Sequence, residues 1–279
     1  MIKNQLHKRR RWLIAAAFVA ALVALFGGGA CCLVMPHRCA TKPDGAVEPR
    51  PHEAFTADGI THEVYEFGGG GPDVILLHEL PGLTLDTIKL ADRLAEQHYA
   101  VHVPLIFGDF GKESVSAGFG KCFSEFHCLG DGDSRFAGWL RALIAQRYGK
   151  RQVVVIGMCL TGSVALEVAD APNVSAVVMA QPSLPLPVTR WQRPKISVTS
   201  AHADQIKRLG RPILAMRFSE DCLASRERFV TLRQAFDGQI EFEEIDSTKC
   251  TKAHATLTGD FSEQAFAHLT KFLAAHARP

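Results

Sequence analysis

Between residues 153 and 162 the chain reads Val153-Val154-Val155-Ile156-Gly157-Met158-Cys159-Leu160-Thr161-Gly162. A β-branched run breaks into small residues and restarts as a helix. Such a strand-to-helix turn belongs to a largely parallel sheet, whose crossovers are helices, and the rest of the chain follows that rhythm. Strand-like runs are expected at 63–67, 73–78, 100–105, 152–157, 174–180, 212–218 and 239–245, with helices at 85–97, 134–147, 160–170, 225–236 and 262–275. This is an α/β pattern with helices on both faces of the sheet, long enough for one large domain. Two connections exceed the usual length: 108–132, which carries six glycines with Cys122 and Cys128, and the proline-rich 181–206. Long connections at strand ends commonly form lids.

The first 58 residues differ in kind. Lys3, Lys8, Arg9, Arg10 and Arg11 precede an uncharged run from Trp12 to Pro36, which as a helix would reach roughly 37 Å, more than a bilayer core requires. The segment is read as a basic cytoplasmic tail (1–11) and a single transmembrane anchor (12–36), the alternative for 12–36 being a cleaved signal sequence, whose apolar core is normally shorter. The basic excess before the run orients the body to the extracytoplasmic side. Residues 37–58, with Pro43, Pro49 and Pro51, read as a linker, so the domain is expected over 59–279. Of 31 Lys and Arg and 29 Asp and Glu, eight and two fall in the first 50 residues, leaving 23 basic against 27 acidic ones. A mildly acidic body without a basic run argues against nucleic-acid binding.

The turn at Cys159 has the form of a nucleophile elbow. It would lift the thiol above the sheet edge, where the helix amino end favours the thiolate. A cysteine here could equally be a small buried hydrophobe, as free cysteines commonly are. The order of elements after it decides between the two, because a hydrolase of this architecture presents its acid after a later strand and its histidine after the last. Ser219-Glu220-Asp221 follows the run 212–218, and Ala253-His254 follows the run 239–245. Asp221 would orient His254, with Glu220 the rival acid, and His254 would take and return the proton of Cys159. In His78-Glu79-Leu80-Pro81-Gly82, the backbone N–H of Leu80 would join that of Leu160 in an oxyanion hole. Glu79 is the oddity, since a carboxylate there would repel an oxyanion unless it swings away or holds a proton.

Together His78-Glu79-Leu80-Pro81-Gly82, the cysteine elbow, Ser219-Glu220-Asp221 and Ala253-His254 resemble the dienelactone hydrolase family over roughly residues 59–275. The resemblance implies an α/β-hydrolase fold and a Cys-His-Asp triad of Cys159, His254 and Asp221. It also implies that Glu79 contacts the resting cysteine and moves when substrate binds. Hydrolysis of an ester or lactone would pass through an acyl-thioester on Cys159, with no metal and no organic cofactor. The family members acting on dienelactone hold its carboxylate with two arginines, whereas by that register this chain has Asp109 and Thr258. Thr161 stands where the family usually has glycine, and a β-branched residue fits only if the turn leaves room for it.

Four further cysteines of the body, Cys122, Cys128, Cys222 and Cys250, allow three disulfide pairings. Cys122 with Cys128 is the most local, and Cys222 and Cys250 each lie near a residue of the expected triad. A zinc site of Cys122, His127 and Cys128 matches no common structural spacing. The chain therefore reads as a membrane-anchored cysteine hydrolase taking a small ester or lactone. A thioesterase or general carboxylesterase of the same fold, and a non-catalytic binding module that keeps it, are the alternatives.

Overall fold

The computed structural model describes residues 39, 47–130 and 132–278. The strands are β1 (His52–Ala57), β2 (Ile60–Gly68), β3 (Asp73–Leu77), β4 (Ala100–Leu105), β5 (Val153–Met158), β6 (Val174–Ala180), β7 (Ile213–Phe218) and β8 (Ile240–Ile245). They form one sheet in the order β1-β2-β4-β3-β5-β6-β7-β8. β1 and β2 form an antiparallel hairpin, β2 runs antiparallel to β4, and β3 to β8 are mutually parallel. The helices are α1 (Leu85–Glu96), α2 (Val115–Ser124), α3 (Arg135–Leu143, prolonged by a π-helical turn Ile144–Tyr148), α4 (Leu160–Glu167), α5 (Ser200–Leu209), α6 (Arg226–Ala235) and α7 (Glu263–His276).

Side-chain alternation along buried strands builds two cores. Val74, Leu76, Val154, Ile156, Val178 and Leu214 face α1 and α7, where Leu90, Leu94, Phe266, Leu269 and Leu273 cover them. Ile75, Leu77, Val153, Val155, Val177 and Ile213 face the opposite way, against Trp139 and Leu140 of α3, Val164 of α4, Ile206 of α5 and Leu232 of α6. Ser134, Thr199, Ser225 and Ser262 cap α3, α5, α6 and α7, each side chain accepting a backbone N–H three residues on. Such a cap is worth about 1 kcal/mol over alanine. From β3 the chain steps outward to β4 and then returns to the other side of β3 for β5, so the connections diverge above the carboxyl ends of β3 and β5. Open α/β sheets bind their ligands at that divergence.

All seven expected strands are present, and three elements are additional. β1 lies inside the stretch read as a linker, so the sheet begins at His52 rather than near 59. It is an edge strand with mostly exposed side chains, and nothing in His-Glu-Ala-Phe-Thr-Ala alternates by hydrophobicity. The long connections contain α2, whose Gly118 and Gly120 depress helix propensity, and α5, which buries only Ala203 and Ile206. Too thin an apolar stripe leaves no readable period. The apolar run 12–36 lies outside the described residues, and no helix among the described residues is long and apolar enough to cross a membrane.

Candidate active site

The turn from β5 into α4 sets Cys159 at φ 56° and ψ −116°, a region that non-glycine residues rarely occupy. Its neighbours make the turn feasible. A side chain on Gly157 would come within 2.0 Å of the Thr161 carbonyl oxygen, and one on Gly162 within 2.8 Å of that of Ala180. Cys159 N–H donates to Ala180 O at 3.0 Å, and Cys159 O accepts from Ser183 N at 3.0 Å, tying the elbow to β6 and the loop beyond it. Thr161 is fully buried, and its Oγ1 accepts from Met158 N at 2.9 Å while sharing its proton among the carbonyls of Met158, Leu77 and His78 at 2.9–3.2 Å. The turn therefore has room for the β-branched residue and uses its hydroxyl to fasten β5 to the end of β3.

Above this elbow stands His254. Its Nδ1 pairs with Asp221 Oδ2 at 2.7 Å, and its other hydrogen-bonding and charge partner is Cys159. Asp221 is held in turn by the N–H groups of Leu223 and Ala224, which donate to Oδ1 at 2.9 and 3.1 Å. All three side chains are at least nine-tenths buried. Burial opposes a charge on His254, but the Asp221 carboxylate and the Cys159 sulfur outweigh it and raise the imidazole pKa well above its ordinary 6.5. The rival acid Glu220 is exposed.

Glu79 follows β3 and completes the cluster, with its carboxylate, Cys159 Sγ and a His254 ring nitrogen all within 4.8 Å of one another. Thr258 Oγ1 donates to Oε1, and Gln181 Nε2 donates to Oε2 at 3.0 Å. Both donors are neutral, so burial dominates and pushes the Glu79 carboxyl pKa up, against the smaller effect of His254. Thr258, one of the two positions where the resemblance would put an arginine, is thus spent on Glu79. Asp109, the other, is a surface residue paired with Lys112 at 3.3 Å. Leu80 follows Glu79 in a turn closed by Gly82 N–H to Glu79 O at 2.8 Å, and Leu160 opens α4 directly after Cys159. The first N–H groups of a helix lack intrahelical partners, so the Leu160 amide is disposed toward an acceptor at the thiol. His78 fixes the base of this turn: its Nε2 accepts from Ile106 N at 2.9 Å and its Nδ1 bonds Glu79 O at 3.1 Å. Burial lowers its pKa to about 4, so it serves as a neutral strut.

Several residues here left no mark in the sequence. Gln181, at φ 38°, bridges Glu79 to Thr256, whose N–H and hydroxyl donate to Gln181 Oε1 at 3.2 and 2.7 Å. Two buried arginines clamp the acid loop through its carbonyls. Arg217 donates to Ser219 O, Asp221 O and Ala224 O at 2.8–3.1 Å. Arg228 donates to Leu223 O, Pro182 O and Lys195 O at 2.7–3.0 Å and also to Pro185 O, joining the acid loop to the 181–199 connection. Contacts to backbone carry no residue signature, which is why they were invisible beforehand.

Of the possible disulfides the local one is present and the distant one is replaced. Cys122–Cys128 forms, with Cα atoms 5.4 Å apart, which removes both as zinc ligands. Cys250 does not bond Cys222 but Cys39, with a Cα separation of 6.3 Å, and Cys222 is itself disulfide-bonded. Cys39 belongs to the stretch 37–58 that the sequence marks as a linker. Asp260 reinforces this staple, accepting Cys39 N at 2.6 Å and His254 N at 3.0 Å. Among the described cysteines Cys159 is the free one.

The sequence pattern of the dienelactone hydrolase family matches residues 63–247, a stretch containing Glu79, Cys159 and Asp221 but ending short of His254. No curated protein sequence matches the chain. Its fold is similar to that of a dienelactone hydrolase-like promiscuous phosphotriesterase from metagenomic libraries, at 18% identity and TM-score 0.57 over 81% of this chain and 96% of that one. It is also similar to a soluble variant of monoglyceride lipase from Saccharomyces cerevisiae (12%, 0.58, 84% and 97%). A third similar structure is a thioesterase domain of the curacin biosynthetic pathway (13%, 0.55, 81% and 100%).

Proposed function

This chain belongs to the dienelactone hydrolase family and is a carboxylic ester hydrolase, and on that premise we propose that it opens esters or lactones through an acyl-thioester on Cys159. His254 takes the thiol proton, and the thiolate adds to the carbonyl carbon. The oxyanion is met by the N–H groups of Leu80 and Leu160, each such donor being worth about 2.7–4 kcal/mol to the transition state. Collapse expels the alkoxide, which leaves with the proton from His254. Water then attacks the thioester as His254 accepts its proton, and the carboxylic acid departs. Asp221 keeps the imidazole oriented throughout. A neutral Glu79, favoured by its burial among neutral donors, would not repel the oxyanion.

The observation that carries this reading is the convergence of Cys159 and Asp221 on the two sides of His254, above the β5 elbow. With Thr258 committed to Glu79 and Asp109 paired at the surface, a neutral ester suits the site better than an anionic lactone. The test is hydrolysis by the detergent-solubilised full chain of a p-nitrophenyl acyl ester and of a dienelactone. Preference for the neutral ester, loss of turnover in Cys159→Ala and a drop of about 10²–10⁴-fold in Asp221→Asn are expected. Turnover surviving in Cys159→Ala would remove the mechanism.

The same reading places residues 12–36 across a membrane and the body on the extracytoplasmic side. The basic residues before the run support the orientation, and the disulfides support an oxidising compartment. Cys39 lies three residues past the run, a reach of at most about 10 Å, and its bond to Cys250 would hold the His254 loop close to the membrane. Protease protection of the body in cytoplasm-side-out vesicles is the expected result, and digestion would reverse the orientation.

A further inference from the structure

The donors gathered around Cys159 have a second chemistry. A thiol, an imidazole and a carboxyl within 4.8 Å of one another are the ligand types that zinc collects, and a tetrahedral zinc holds such atoms about 3.3–3.8 Å apart. Side-chain shifts of about 1 Å would close the difference. The surroundings also match what metal ligands require, since ligating histidines donate their other ring nitrogen to a carboxylate and ligating carboxylates are themselves hydrogen-bonded. Here His254 Nδ1 is paired with Asp221 at 2.7 Å, while Gln181 and Thr258 orient the Glu79 carboxylate and leave each oxygen a lone pair to share. Charge balances as well. A divalent cation with one thiolate, one carboxylate and one neutral imidazole is neutral overall, which is the form a buried site tolerates best.

We propose that Cys159, His254 and Glu79 form a reversible binding site for Zn²⁺ or a cation of similar softness, and that the metal-bound enzyme is switched off. Binding forms one metal–sulfur, one metal–nitrogen and one metal–oxygen bond. The thiol and imidazole together give up one proton and the carboxyl any proton it carries, nothing is oxidised or reduced, and a fourth position stays open to water. The metal occupies the nucleophile's sulfur and the base's nitrogen at once, so hydrolysis stops until it leaves.

The test uses the full chain, untagged and freed of metal with a chelator, titrated with Co²⁺ alone and then with Zn²⁺. One equivalent of Co²⁺ should produce a thiolate-to-metal charge-transfer band with the visible spectrum of a tetrahedral site, and Zn²⁺ should bleach both. Zn²⁺ should also protect Cys159 from iodoacetamide. Cys159→Ser should abolish the band, and Glu79→Gln, which removes a ligand, should weaken binding by more than the about 10–100-fold that loss of an outer-shell partner costs. His268→Ala should change nothing, although it removes the surface cluster of His268 with Glu241 and Glu243. A saturated sample without the band, or binding unaltered by both Cys159→Ser and Glu79→Gln in variants with native circular dichroism, would overturn the proposal. The spectrum is read without substrate, so a chain that binds Co²⁺ in this way yet hydrolyses no ester would refute the proposed function and leave the metal site standing.

Discussion

Replacing Thr161 with valine tests whether the hydroxyl that fastens the elbow supports the nucleophile. Valine fills nearly the same volume, so the cost isolates the hydrogen bonds. Met158 N–H, which donates to Thr161 Oγ1 at 2.9 Å in a fully buried site, would lose its acceptor. A buried donor left without a partner costs about 1–3 kcal/mol, and the hydrogen bond that Oγ1 donates toward the end of β3 adds about 1. The expected loss is therefore about 2–4 kcal/mol. Serine keeps both bonds and forfeits a methyl group, roughly 0.8 kcal/mol. The assay is the urea midpoint at pH 7 without reductant, with the slope checked for constancy so that the shift reports stability. Loosening the turn also moves Cys159 against His254, and Thr161→Val should lose about 10²-fold in kcat while Thr161→Ser stays near the parent. If the valine and serine variants fall within about 0.5 kcal/mol of each other, the hydroxyl is not what holds the turn.

Glu167 gives a pH-dependent prediction. It is buried in α4, and burial outweighs the two bonds from Ser134 (2.8 and 2.7 Å) to raise its pKa to about 8. The folded chain thus holds a proton that the unfolded chain releases above about 4.5. The stabilisation is complete below that value and is lost as pH rises to about 8, by up to about 1.4 kcal/mol per pH unit within the window. Glu167→Gln should flatten that slope between pH 5 and 8, and an unchanged slope in urea midpoints would contradict the assignment. Arg228→Met leaves buried carbonyls of Pro182, Pro185, Leu223 and Lys195 without their donor, and an expected loss of about 3–5 kcal/mol is checked by the same denaturation. Arg228→Lys should recover only part of it, because an ammonium cannot reach the same fork of acceptors.

What could be read beforehand follows from how residues signal. Strands β3 to β7 announce themselves because buried β-strands need apolar side chains, and β2 and the far edge strand β8 because apolar residues such as Ile240 and Phe242 still alternate with polar ones. β1 does not, since an exposed edge strand such as His52–Ala57 has nothing to alternate. Cys159, Asp221 and His254 were legible because each sits just past a recognisable strand in a fixed order, and the structure brings them together with Glu79. The grip on them was not. Arg217 and Arg228 act through backbone carbonyls, which any loop could present, and Gln181 meets Glu79 and Thr256 only across the folded chain. Disulfide partners were unreadable for a related reason, as Cys39 and Cys250 are 211 residues apart and meet only through the completed sheet.

That last bond redraws where the protein can be cut. By strand content the natural boundary is His52, and the family pattern begins later still, at residue 63. A chain trimmed at either point would carry an orphan thiol four residues before His254, along with an Asp260 that has lost the Cys39 amide. The stretch ahead of the first strand is therefore a brace for the loop that carries His254, and it reaches back at least to Cys39.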